Sequence, residues 1–308
     1  MIISASRRTD IPAFYSDWFL NRIKEGFVDV RNPMNYHQVS RVSLRPDVID
    51  CIVFWSKNPK PMLDRLDELM DCKYYFQFTI SPYDTTIEKA VPGMNSMVDT
   101  FKALADKVGS NRVVWRYDPI LLTDKIDVQY HLSNFYAIAK SLEGYTKRCV
   151  ISFIDLYKKT RKNIAGTSIR EPNEREMHEM ASAMCSLAPS YGIKVESCAE
   201  SIDLSKDGVA HGHCIDKDLI EDIVGYKLSI GKDKNQRKEC GCVGSIDIGQ
   251  YNTCLHDCVY CYANYNKSVV ELQRSKHYND STMLVGSLAK DDVVNERKMS
   301  LLKDYLLW

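Results

Sequence analysis

Short β-branched or aromatic runs alternate along this chain with amphipathic stretches, and that rhythm limits the fold more than any other feature. The runs lie at 2–6, 51–55, 74–80, 112–117, 149–154 and 193–197. Each is short and largely apolar, as strands covered on both faces of a parallel sheet should be. Between them fall helix-like segments. The first has Asp10 as N-cap and Pro12 just inside the start, followed by Tyr15, Phe19 and Ile23 at four-residue spacing. Others centre on 62–70, 96–108, 128–142 and 174–187, and segment 27–45 reads as an irregular insertion or small hairpin. Six βα units predict an α/β chain, better suited to a (βα)6-type partial TIM barrel than to a flat sheet.

After Gly231 the character changes. A polar stretch leads into a region rich in cysteine and glycine with little periodicity, which needs something other than a large core, such as bound metal, to hold it. We therefore expect a barrel domain over 1–230 and a cysteine-rich, metal-held segment over 231–308, ending in a helix around 294–307.

The 308 residues carry 41 basic and 41 acidic side chains, so the chain as a whole does not attract nucleic acid or an anionic membrane. Neither a signal-peptide-like apolar stretch nor a run of about 18 apolar residues is present, and a cytoplasmic location with no membrane contact is expected. In a compartment that keeps thiols reduced, eleven cysteines are informative. Cys51, Cys72, Cys149 and Cys185 fall within strand or helix patterns and read as small buried hydrophobes. Trp55 and Trp115 read as core residues able to stack on a ring if they face the mouth.

Five cysteines crowd into the segment from Cys240 to Cys261. The sharpest group is Cys254-x3-Cys258-x2-Cys261. A closed structural zinc site wants four ligands, as does an ordinary cubane cluster. Three thiolates in one loop thus imply a fourth ligand from elsewhere, or an iron left open to a small molecule. A zinc knuckle completed by His256 or Cys242 is the other arrangement open to these residues. The separated pairs usual in zinc sites weigh against it.

This spacing, with Tyr260 just before the last cysteine, resembles the cluster loop of the radical S-adenosylmethionine (SAM) superfamily. The start SASRRTDIP, the segments FWSKNP and WRYDP and the tail ending in CVYCYAN resemble the DUF1848 family across nearly the whole chain. That family's tail has been likened to the radical SAM loop. The resemblance implies a 4Fe–4S cluster on Cys254, Cys258 and Cys261, with SAM chelated at its open iron and cleaved to a 5′-deoxyadenosyl radical. It also implies a (βα)6 partial barrel and an electron donor of flavodoxin or ferredoxin type. In the superfamily the loop follows the first strand, whereas here it comes about 250 residues later. The tail is therefore expected to fold back over the barrel mouth. A glycine-glycine-glutamate motif of the kind that binds the SAM amino group is not evident.

Cys198, Cys214, Cys240 and Cys242 are candidates for a second site, either an auxiliary iron–sulfur cluster or a structural zinc. At the strand ends, where parallel barrels build their active sites, stand Arg7, Arg8, Lys57, Asn58, Arg116 and Asp118. They are the candidate contacts for SAM and a polar or anionic substrate, since arginine suits carboxylate and phosphate. Two alternatives remain. One is a non-catalytic iron–sulfur or zinc protein, a redox sensor or scaffold. The other is a nucleic-acid-modifying radical SAM enzyme, compatible with the paired arginines and Tyr262 but disfavoured by the neutral charge.

Overall fold

The computed structural model describes residues 1–69, 71–156 and 158–305. Eight strands form one sheet: β1 (Ile2–Ala5), β4 (Cys51–Ser56), β5 (Tyr74–Thr79), β6 (Val113–Ile120), β7 (Arg148–Phe153), β8 (Lys194–Cys198), β9 (Ala210–Gly212) and β10 (Ile246–Asp247). Their spatial order is β10-β1-β4-β5-β6-β7-β8-β9, and every pairing is parallel. The chain is therefore a mixed α/β protein. The six expected strands match β1 and β4 to β8 within a residue or two, except that β6 runs on to Ile120. The sheet gains two strands that the periodicity does not reveal, because three and two residues are too few to show an alternation.

The strand residues alternate between two cores, as a pleat of period two demands. Ile52, Phe54, Phe76, Phe78, Trp115 and Ile151 face one core with the helices Met94–Val108, Val128–Ser141 and Glu174–Leu187. Ile2, Cys51, Val53, Tyr75, Val114, Val150 and Cys198 face the other. That second face is covered by Leu219 and Ile220 of the helix Lys217–Val224, with Leu228, Cys240, Cys242 and Val243. Burial of both faces accounts for the nearly continuous apolar strands.

Asp10 caps the helix Ile11–Phe14, its Oδ1 accepting from Ala13 N at 3.0 Å, and the chain re-enters helix at Ser16–Glu25. Segment 27–45 holds the antiparallel pair β2 (Phe27–Arg31) and β3 (Gln38–Ser43). The helix expected near 62–70 splits into short turns, Lys60–Leu63 and the 3-10 segment Leu66–Leu69; Met70 lies outside the described residues.

The terminal helix expected around 294–307 is corrected. Val293–Glu296 is a strand, β11, pairing in parallel with β3, and no helix follows it as far as Tyr305. Adjacent β-branched valines suit an extended backbone beside an open strand edge. Residues 306–308 lie outside the described ones. No helix among the described residues is long and apolar enough to cross a membrane.

Candidate metal and cofactor site

The segment after β10 lies over the C-terminal ends of β1, β4 and β5. It is anchored by Asp247, the last residue of β10, whose carboxylate accepts from Ser4 Oγ at 2.8 Å, Ser6 Oγ at 2.6 Å, Arg7 N at 2.9 Å and Gly249 N at 3.0 Å. Gly249 lets the two backbones come this close, since a Cβ there would lie 2.1 Å from Ser6 Oγ.

The cysteine loop is then fixed at both ends and in its middle. Tyr15 donates its hydroxyl to Thr253 O at 2.6 Å, and Asn264 Nδ2 donates to Cys254 O at 2.7 Å. Between them His256 Nε2 meets Asp10 Oδ2 at 2.7 Å, and the same carboxylate oxygen accepts Lys57 N at 2.8 Å. Cys258 forms an antiparallel bridge with Glu88, and Val259 N donates to Ile87 O at 3.0 Å. Tyr262 donates its hydroxyl to Arg7 O at 2.6 Å.

Lys57 reaches under this loop. Its Nζ donates to Glu88 Oε1 at 2.8 Å and to Ser81 Oγ at 3.1 Å. Ser81 Oγ and the Tyr260 hydroxyl donate to the same carboxylate oxygen. Burial opposes the lysine charge, but Glu88 and then Cys258 outweigh it and raise its pKa. Burial pushes the Cys258 thiol well up, with Lys57 pulling the other way. Cys254 is raised by burial and then by Cys261. The three cysteines are partly buried and lie within one another's electrostatic reach.

Of the other rim residues, Arg7 stacks over Trp55 at 5.6 Å and Arg8 over Tyr251 at 5.1 Å. Arg116 makes a two-pronged ion pair with Asp118, at 3.0 and 2.6 Å. Asn58 is half-buried, and its backbone N donates to Ser56 Oγ at 2.9 Å. Lys57 and Arg116 are thus neutralised by close carboxylates, whereas Arg8 meets Asp247 only at 3.9 Å and Arg7 Nη2 reaches Ser245 Oγ at 3.5 Å. Trp115 is core, stacked on Phe135 at 4.9 Å.

Cys198, Cys214, Cys240 and Cys242 are also buried, beyond Arg116 and Arg7. Cys198 and Cys214 lie 2.8 Å apart, sulfur to sulfur, and Arg116 Nη1 donates to Cys214 Sγ at 2.8 Å. Glu88, Asp247 and Gly249 are central here, yet sequence reasoning passed over them. Glu88 sits in an ordinary-looking turn, and its partners come from three separate segments. A three-atom group of His37, Asp291 and Asp292 also converges, far less buried, with Asp292 already paired to Arg31 at 2.7 Å.

A family model described as a domain of unknown function, DUF1848, matches residues 2–263. The chain belongs to the DUF1848 family. The match ends two residues after the last loop cysteine, so the loop and its docking surface fall within the DUF1848 region. No curated protein matches the chain. Among solved structures, this DUF1848 chain is similar to a "putative alpha-L-fucosidase" from Bacteroides thetaiotaomicron, at 14% identity and a TM-score of 0.26. The likeness covers 56% of this chain and 71% of the other.

Proposed function

We propose that this DUF1848 protein is an iron–sulfur enzyme of the radical SAM type, acting on a small polar or anionic substrate and drawing on a flavodoxin- or ferredoxin-like reductant. One observation carries the reading. The three-cysteine loop, distant in sequence, is tied by Asp10, Lys57 and Glu88 onto the C-terminal ends of parallel strands. Parallel α/β barrels place their active sites at that end. The reading takes the eight-stranded sheet as a partial barrel with the tail over its mouth.

The donor set fits the cofactor. Three neighbouring thiols of one loop are grouped, while both His256 nitrogens face other partners, Asp10 and the Ala90 carbonyl. Cys254, Cys258 and Cys261 would hold a 4Fe–4S cluster with one iron free of cysteine. When bound, the cluster supplies the electron that cleaves SAM to a 5′-deoxyadenosyl radical. The chain's own residues position and shield. Lys57, held by Glu88, places a cation beside Cys258, where thiolate charge needs compensation. Arg7 and Arg8 offer bidentate donors to a carboxylate or phosphate, and Trp55 gives an apolar wall under Arg7.

The test is anaerobic purification with iron and sulfide analysis, followed by reduction in the presence of SAM. The reading expects iron, sulfide and 5′-deoxyadenosine, all abolished by Cys258→Ser. Iron without SAM cleavage would favour a redox sensor, and zinc on the loop would favour a scaffold.

A further inference from the structure

The quartet Cys198, Cys214, Cys240 and Cys242 is built from three separate places. Cys198 ends β8, and Cys214 follows β9 by two residues. The Cys240-Gly241-Cys242 turn precedes β10, which pairs with β1 at the opposite edge of the sheet. Cys198, Cys214, Cys240 and Cys242 lie buried in one apolar cluster, and the Cys198 and Cys214 sulfurs are 2.8 Å apart. Ile215 N, one residue beyond Cys214, donates to Cys242 Sγ at 3.3 Å. The four cysteines thus converge in one buried place, with the Ile215 N–H directed at Cys242 and the Arg116 guanidinium at Cys214.

We infer that these four cysteines bind a single zinc ion, which clasps the β8–β9 edge of the sheet to the segment entering β10. The donor set is decisive for the class of metal, since tetrahedral S4 selects zinc or iron–sulfur centres. The closeness of Cys198 and Cys214 sets two sulfurs on one metal ion apart from a cubane. Two sulfurs on one zinc, each at about 2.3 Å, stand about 3.8 Å apart in a tetrahedron. A cubane has one cysteine on each iron and holds its cysteines apart across the inorganic core. Cys198 and Cys214, already in contact, match the single ion, parting by about 1 Å as Cys240 and Cys242 draw in around it.

The surroundings suit the resulting charge. Four thiolates on a dication leave two negative charges, and Arg116 and Arg7 both act on these cysteines. Ile215 N and Arg116 Nη1 are the outer donors that such sulfurs need. Gly241 has a steric role as well. A Cβ there would lie 2.1 Å from His213 Nδ1, an atom that is buried with no hydrogen-bond partner. The clasp matches the backbone, because Val243 N already donates to Ile215 O at 3.1 Å across the same junction.

This site is independent of the loop cysteines, and the experiment separates the two. The full chain and a variant carrying Cys254→Ser, Cys258→Ser and Cys261→Ser are purified anaerobically and analysed for zinc and iron. Both should hold about one zinc per chain, with an X-ray absorption shell of four sulfurs at about 2.3 Å. Loss of iron from the variant would concern only the proposed cluster. Cys240→Ser with Cys242→Ser should remove the zinc; should that variant not fold, the absorption shell of the full chain decides. Three results would overturn the inference. They are zinc lost from the loop variant, iron retained in it in place of zinc, and a metal-free protein in which Cys198 and Cys214 form a disulfide.

Discussion

His256 and Asp10, separated by 246 residues, meet at 2.7 Å and tie the cysteine loop to the first helix of the chain. The same carboxylate caps that helix at Ala13 N and receives the backbone N–H of Lys57. One buried side chain therefore joins the end of β1, the end of β4 and the tail.

Asp10→Ala removes all three bonds at once. A lost cap costs about 1 kcal/mol, and the buried His256 nitrogen left without a partner adds roughly 1–3 kcal/mol. Urea unfolding should show a fall of about 2–4 kcal/mol. Limited proteolysis should then cut within 250–263 well before the parent is touched. An unchanged cleavage pattern would mean that the loop is held by its other contacts.

Glu88 and Lys57 form a pair with 1% and 14% side-chain exposure, so breaking it from one side leaves a buried charge uncompensated. Glu88→Gln should destabilise the fold by about 3–5 kcal/mol. Adding Lys57→Met should recover a substantial part of that loss, since the stranded cation is then gone. If the double variant is no better than the single one, the cost is packing rather than charge.

Burial pushes His131 down from 6.5 to about 4, with the Leu121 carbonyl resisting the shift, and its Nδ1 meets the Tyr117 hydroxyl at 2.9 Å. The folded pKa lies below the unfolded one, so the unfolded chain takes up the proton first. The stability this neutral ring contributes is complete above pH 6.5 and is lost as pH falls toward 4. At about 1.36 kcal/mol per pH unit, the full loss is roughly 3 kcal/mol. Denaturant midpoints of metal-free protein should fall across this window. His131→Gln should flatten the slope, whatever it does to stability at neutral pH.

Gly249→Ala brings a methyl group into Ser6 Oγ, which is already committed to Asp247 at 2.6 Å. The backbone must shift, at a cost of about 1–3 kcal/mol. Gly249→Ala with Ser6→Gly should regain part of it. Thermal melts of the three proteins provide the check.

The main sheet was legible because its strands are covered on both faces, which leaves short unbroken apolar runs between turn residues. Asp10 and Pro12 likewise announce their helix by chemistry that acts within a few residues. What was not legible depends on distant partners. β9 and β10 are strands only because β8 and β1 offer them an edge. The apolar spacing beyond Val294 reads as a helix, and only the open edge of β3 lets Val293 and Val294 follow their extended preference. Glu88 and Asp247 carry no local signal, since each gains its role from groups brought by other segments. The loop cysteines could be read from their spacing. The geometry of the quartet could not, with its members spread from Cys198 to Cys242.

The most direct test of the central claim is the iron and acid-labile sulfide content of the anaerobically purified chain beside its Cys258→Ser variant. The account predicts about four irons and four sulfides per chain, lost in the variant, and 5′-deoxyadenosine when the reduced parent meets SAM. A parent that holds no iron, with zinc bound by Cys254, Cys258 and Cys261 instead, would contradict it.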